Sequence, residues 1–574
     1  MNWLWTHACV TCGAAAAASA HGDDVSSLVL AADGLPAGFF QSYKFGTHVA
    51  LQRSAGAAYV AAFWASVQSG LSVPASARAR VLAAAWAVHN VAFVDELLLK
   101  PDVIGVNEVS KALQLLDAPR AARQISDKLE CIASTAAPAT LSRLRTQLQN
   151  VSAEMVVGER LGSVTRSLAK RVANWASLIS AESLEFYLMS FPTAPWKAVA
   201  DLCHLKPADF QLPFFLAACF SDAVVPADSL VARGRLLTAD NLAATLRDEP
   251  RFLSMYSFVR KHIEPSRFST EAKVLLATGV PLGEVIWFFH EFACAEAAAA
   301  LEARLAAGES LDSPFFRLNF GKVMQRLLTF KEGGYSFTRH LLELAQARLS
   351  TLVAPPSDVR VAVLGDASAS MGEAVKAASI LGGLLSACFS AELLFFNHKV
   401  IHAAMQPRTA EHVIEVASSI VADGGTAPVA ALAELYMARK AMDMIIVVTD
   451  EEETNVINYN TVQLEGMPAD TRVGAITFAS LFKLYRQHVN PSAQLVFCSF
   501  LQPNVRNGVM CSDLERAGVQ SKVFLLNLTC PDLSKFDDLL ALVARARAEF
   551  VPIVNGPEDE LVELIPIHYS NTLV

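Results

Sequence analysis

Residues 361–380 read VAVLGDASASMGEAVKAASI, an apolar run that ends in Asp366 and is followed by Ser368 and Ser370 at alternate positions. In extended backbone, alternate side chains project to one side, so a carboxylate and two hydroxyls can converge on one point. Two other segments carry the same chemistry. VADGGTAP sets Thr426 behind two glycines, and MIIVVTDEEE ends an apolar run in Asp450. Carboxylate and hydroxyl oxygens are hard ligands and suit Mg²⁺, which takes six oxygens in an octahedron and keeps some of its water. On this reading Asp366, Ser368, Ser370 and Thr426 surround a cation and Asp450 balances its charge through water. A half-satisfied ion then accepts an oxygen from outside, such as a partner's Asp or Glu. The competing reading is local, because Asp and Ser after a strand commonly cap the helix that follows. The EEE at 451–453 reads as a solvated acidic loop rather than a second cation site.

These residues meet only if one sheet gathers their strands at a common edge. From 356 to 574 the chain carries short apolar runs: VRVAVLGD, AELLFFNHKVIHAA, MDMIIVVTD, TRVGAITFA, SAQLVFCSF, SKVFLLNL and AEFVPIV. Helical patterns separate several of them. Such runs, buried on both faces and alternating with helices, predict a doubly wound α/β domain that collects its ligands at the carboxyl ends of the strands. Residues 25–355 differ in character. Stretches such as ARARVLAAAWAVHNVAFVDELLL have apolar residues three and four apart, with Pro and Gly punctuating them. So long an all-helical stretch predicts paired helices stacked as a solenoid or ring. Pro355 and Pro356 mark the boundary, since a residue before proline is biased to extended backbone.

A chain of 574 residues exceeds one ordinary core, and 53% apolar with 18% charged residues indicates packed globular structure. Apolar runs such as LPFFLAACF are too short to span a bilayer. The N-terminal MNWLWTHACVTCGAAAAASAHG lacks the basic leader of a secretory signal. The ten cysteines are scattered in apolar surroundings, as buried free thiols are in a reducing cytoplasm, and Cys9 and Cys12 form a lone CxxC. The net charge of −9 falls almost wholly on residues 351–574, and residues 1–350 are close to neutral, so neither half has the basic excess of a general nucleic-acid binder. P-loop, GxSxG and HExxH motifs are absent from the sequence. Aspartyl phosphotransferases want a second acid two residues beyond the nucleophile, where this chain has Ser368. A noncatalytic protein is therefore expected.

The order of DASASM, ADGGTAPVAAL, VVTDEEE and NPSAQLVFCSF resembles the von Willebrand factor A domain, in the form found in the Ro autoantigen family. The resemblance implies a Rossmann-like fold with a metal-ion-dependent adhesion site for Mg²⁺ or Mn²⁺, held by Asp366, Ser368, Ser370, Thr426 and Asp450. Ala369 stands where many A domains have glycine, and the Ro branch also tolerates alanine there. In the helical half, GSVTRSLAKRVANW (162–175) and PWKAVADLCHLKP (195–207) resemble the centre of the TROVE module, a ring of HEAT-like repeats that binds small noncoding RNA outside and single-stranded ends of misfolded RNA within. That resemblance implies an RNA surface of His204 and Lys206, with Lys197 nearby and Arg166, Lys170 and Arg171 on the preceding helix. FYLMSF (186–191), where Ro proteins carry a basic cluster, has no Lys or Arg. Trp175 and Trp196 are expected to pack in the core rather than stack on bases. The implied protein is a cytoplasmic monomer, free of the membrane, that binds RNA. The alternative is a protein-interaction scaffold whose metal site grips a partner's carboxylate.

Overall fold

In the computed structural model, described from residue 39 to 548 except for 41–43, 69–72, 133–134, 154, 156–163, 222–223, 314–315, 317, 354–357, 455–475, 503–504 and 506–507, the chain divides into an all-helical module and an α/β module. The helices run from Phe45–Gln68 to Thr338–Leu352. Many start at a side chain that accepts from a first-turn N–H, as Thr165 does from Leu168, Ser180 from Ser183, Ser269 from Ala272 and Asn319 from Lys322. These caps satisfy donors that have no partner inside the helix.

Successive helices pack on near neighbours, as a stacked array requires. Ala75–Ala87 lies against Phe45–Gln68 and Val106–Ile132, and the latter lies against Ala194–Cys203. Further along, Thr270–Gly279 meets Ala295–Ala306, and Leu282–Phe292 meets Phe320–Glu332. Trp175 and Trp196 stack on each other with ring centroids 5.4 Å apart, buried in the core as expected.

The α/β module is a six-stranded sheet in the order β3-β2-β1-β4-β5-β6. Its strands are β1 (Val361–Asp366), β2 (Glu392–Phe396), β3 (Val400–His402), β4 (Met444–Thr449), β5 (Gln494–Leu501) and β6 (Ser521–Asn527). All neighbours are parallel except the β2–β3 pair. The run AELLFFNHKVIHAA thus forms a short antiparallel hairpin instead of one strand. Alternate residues of β1, β4 and β5 feed opposite faces: Val363, Ile446 and Val496 enter one core, and Leu364, Val447 and Phe497 the other. TRVGAITFA falls mostly outside the described residues, and its end enters the helix Phe478–His488 rather than a strand. AEFVPIV lies outside the described residues beyond Ala548, as do Cys9 and Cys12.

The last two helices of the array dock on the α/β module. Asn319 donates to the Ser534 carbonyl (2.5 Å), Gln325 to that of Pro531 (3.2 Å), and the Gln346 carbonyl oxygen accepts from Ala410 N (2.8 Å). Gly321 meets the Leu533 backbone so closely that a Cβ there would overlap its carbonyl oxygen. The two modules share one continuous core. Among the described residues no helix is long and apolar enough to cross a membrane.

One buried acid in the array has no role in docking. Glu284 is 4% exposed, its Oε2 has no hydrogen-bond partner among the described residues, and burial pushes its carboxyl up to about 7. Its folded-state value lies above its unfolded one, so stability is lost as pH rises from about 4.5 through 7. Glu284→Gln is expected to remove this loss, which amounts to up to about 3 kcal/mol. Thermal unfolding should show the variant and parent alike at pH 4.5 and the variant more stable at pH 8.

Candidate functional site

Strands β1 and β4 lie side by side at the centre of the sheet, where the strand order reverses: β2 follows β1 on one side and β4 lies on the other. Their carboxyl ends therefore open into the crevice where open α/β sheets hold ligands. Asp366 ends β1 and is fully buried. Its Oδ1 accepts from Ser368 N (2.8 Å) and its Oδ2 from the Thr449 hydroxyl (2.6 Å). The Ser368 and Ser370 hydroxyls are 3.0 Å apart, and Ser370 lies close enough to Asp450 to lower its carboxyl. Asp450 Oδ1 accepts from Glu452 N (3.1 Å), whereas its buried Oδ2 has no partner among the described residues.

The loop bearing Thr426 is laced to this crest through its backbone. Asp423 N donates to Ala367 O (2.9 Å), Ala369 N to Gly424 O (3.0 Å) and Ala427 N to Asn397 O (2.7 Å). Gly424 has φ +75°, a backbone conformation that favours glycine. Thr426 is buried and exchanges two bonds of 3.1 Å with Thr454, from its own N to the Thr454 hydroxyl and from Thr454 N to its carbonyl. Asp366, Ser368 and Ser370 thus form one hydrogen-bonded chain beside Asp450, with Thr426 fastened to the loop that carries Asp450. The local capping reading fails, because the following helix Ala374–Phe389 has Glu373 at its cap position and no side-chain cap bond.

Electrostatics set this crest apart. Burial, then the neighbouring Asp450 charge, pushes the Asp366 carboxyl up to about 7. Burial also raises Asp450, against hydrogen bonds from Ser370 and Glu452 N that lower it. Two carboxyls therefore lie close together, out of water, each better off uncharged. The donors are all hard oxygens, and no group of three or more His, Cys, Asp or Glu able to hold a metal occurs among the described residues.

The acidic run behind Asp450 differs from a solvated loop. Glu451 is fully buried, accepting from the Ser499 hydroxyl at one oxygen and from Cys511 N (3.0 Å) at the other. Cys511 N is a first-turn donor of the helix Val509–Arg516, so Glu451 satisfies a group the helix leaves open. Glu453 accepts from Phe478 N (2.8 Å), and burial pushes it up to about 7. Only Glu452 of the three is exposed. Thr449 and Glu451 were not singled out by residue spacing. The parallel register that pairs Gly365 with Val448 sets Thr449 opposite Asp366, a partnership that spacing along the chain does not show.

In the array, the helices Arg166–Ser177 and Ala194–Cys203 pack together, and the turn Pro207–Asp209 lies against the first of them. Arg166, Lys170, His204 and Lys206 are exposed on these elements. His204 is not a core residue: it ends its helix in the left-handed region at φ 53°. Lys197 is half-buried, its Nζ 5.9 Å from the Phe220 ring centroid. Arg171 is paired with Asp95, which reduces its freedom to meet a phosphate.

Neither a protein-family model nor a curated protein matches the chain. Among solved structures, the crystal structure of the Deinococcus radiodurans Ro (RSR) protein aligns over 88% of this chain and 94% of its own, with 14% identity and a TM-score of 0.45.

The Thr449 hydroxyl both donates to Asp366 and accepts from Glu451 N (3.0 Å). Thr449→Val keeps the shape but strands two buried polar groups, which costs about 2–5 kcal/mol. Denaturant titration should show that loss, and Thr449→Ser, which retains the hydroxyl, should recover most of it.

Proposed function

We propose that the protein is a noncatalytic RNA-binding protein of Ro type whose α/β module holds a divalent cation, Mg²⁺ or Mn²⁺, among Asp366, Ser368, Ser370, Thr426 and Asp450. The observation that carries the cation is the pair of buried carboxyls: Asp366 is raised by the charge of Asp450, and Asp450 has a buried oxygen with no partner among the described residues. A cation satisfies that oxygen and neutralises both acids, and the hydroxyls around it are donors of the hardness Mg²⁺ prefers. When bound, it offers a coordination position to an external carboxylate. The chain's own residues hold the crest in shape: Thr449 orients Asp366, Glu452 N holds Asp450, and Glu451 ties the loop to the helix behind it. Ser368 stands two residues beyond Asp366, where aspartyl phosphotransferases carry their second acid.

RNA binding is supported by the exposed cations Arg166, Lys170 and Lys206, together with His204, on neighbouring elements of the array. Phosphate contacts dominate RNA affinity. The buried thiols Cys203, Cys219, Cys388, Cys498 and Cys511 fit a reducing compartment such as the cytoplasm. A second reading, the scaffold whose metal site takes a partner's carboxylate, is favoured by one observation. Arg78, Arg171, Arg233, Arg247, Arg260 and Arg304 are all held in ion pairs with acids of the array.

Calorimetric titration of Mn²⁺ is expected to show one site in the parent and none in Asp366→Ala, with the helical signal in circular dichroism retained. Because the cation takes the deprotonated carboxyl, affinity should rise as pH rises from 5 through about 7. For RNA, the Lys170→Ala variant should bind a small structured RNA more weakly and with a shallower salt slope, by about one counterion. Equal salt slopes and affinities for parent, Lys170→Ala and His204→Ala would leave the scaffold reading in place.

A further inference from the structure

A second polar cluster lies away from the sheet crest, where the array meets the α/β module. The helix Leu282–Phe292 presents Trp287, Phe288, His290 and Glu291, and the helix Phe320–Glu332 packed on it presents Lys322 and Arg326 one turn apart. Lys322 Nζ and Arg326 Cζ both lie 4.4 Å from the centroid of the Trp287 ring, and Arg260 Cζ lies 4.4 Å from that of Phe288. Lys322 and Arg326 thus share one aromatic ring, and Arg260 lies on the ring of the next residue.

The acids present are already engaged. Glu291 takes Arg260 at 2.5 Å and the Tyr256 hydroxyl, and Asp532 stands 3.8 Å from Lys322 while accepting from Ser534 N (2.8 Å). Arg326 is the exception. Its Nε is buried without a hydrogen-bond partner among the described residues. Its guanidinium is half-buried, so burial lowers it, and the opposing charge acting on it is Glu291, already shared with Arg260. A buried guanidinium donor left without an acceptor is costly, and the ring beneath it satisfies charge but not directed N–H groups. His290 on the same helix is exposed, and because burial and the Arg326 charge lower it, it adds no fixed positive charge at neutral pH.

We propose that Lys322 and Arg326, braced on Trp287, form an anion site that holds a phosphate group at the junction of the two modules. A tetrahedral dianion or phosphodiester supplies the acceptor oxygen that Arg326 Nε lacks among the described residues, and Lys322 adds a point charge beside it. The phosphate belongs either to a polynucleotide or to a small phosphate compound, and the chemistry is shared. Where it belongs to RNA, the site rests on the RNA-binding reading; where it is small, the site stands without it.

Two probes separate these sources, pyrophosphate and a single-stranded oligoribonucleotide, each titrated into the full chain. Trp287 fluorescence is the local readout, identified by its loss in Trp287→Phe. Saturable quenching by pyrophosphate, weakened about tenfold or more in both Arg326→Gln and Lys322→Gln, establishes a small-phosphate site. Quenching by the oligonucleotide alone, with the same losses and with parent affinity in Lys170→Ala, establishes a polynucleotide site distinct from the outer surface. Using two variants guards against misfolding of either one. No quenching by either probe, or equal affinity in the folded variants, overturns the proposal. Pyrophosphate binding in a chain that retains no RNA would uphold this site while removing the RNA-binding reading.

Discussion

Two carboxylates that cannot both be comfortable without help are the constraint around which the α/β module is arranged. Asp366 and Asp450 end neighbouring parallel strands, so the sheet itself forces them together. Bringing both out of water raises each, and the protein answers with fixed dipoles: Ser368 N and the Thr449 hydroxyl on one, Ser370 and Glu452 N on the other. Those contacts reduce the electrostatic penalty but leave Asp450 Oδ2 without a partner among the described residues. A structure that only needed a stable sheet end would gain by replacing either acid with a neutral residue.

The rest of the fold holds that arrangement still. Apolar residues alternate across β1, β4 and β5 into two cores, which fixes the register and hence the relative height of Asp366 and Thr449. Glu451 anchors the loop after β4 to the helix Val509–Arg516, and Gly424 lets the Thr426 loop close over the first strand's turn. The helical array is joined to this unit through one continuous core and through backbone acceptors at Pro531 and Ser534. Motion of the array against the sheet would have to break both.

Much of this was legible in the sequence because it follows from short-range periodicity. The 3.6-residue pattern up to Leu352 and the two-sided apolar runs at β1, β4 and β5 gave the two modules and the strand ends that carry the site. What periodicity could not give was partnership across the sheet. Thr449 and Glu451 matter through residues 83 and 48 positions away, Asp366 and Ser499, and a run of three glutamates reads as solvated until the strand beside it is known. His204 was ambiguous for another reason: its apolar neighbours argue for burial, but the left-handed helix end turns it outward. Arg171 looked free on its own helix because its partner, Asp95, comes from a distant one. The Trp287 cluster was invisible for the same reason, since it forms between two helices and a loop of the other module.

The most direct measurement is the anomalous scattering of a crystal grown with Mn²⁺. The account predicts a single strong peak at the carboxyl edge of the sheet, within coordinating distance of the Ser368 and Ser370 hydroxyls and beside Asp366, Thr426 and Asp450. A crystal that diffracts well, contains Mn²⁺ at millimolar concentration and shows no peak there, with Asp450 Oδ2 bonded instead to ordered water, would contradict it.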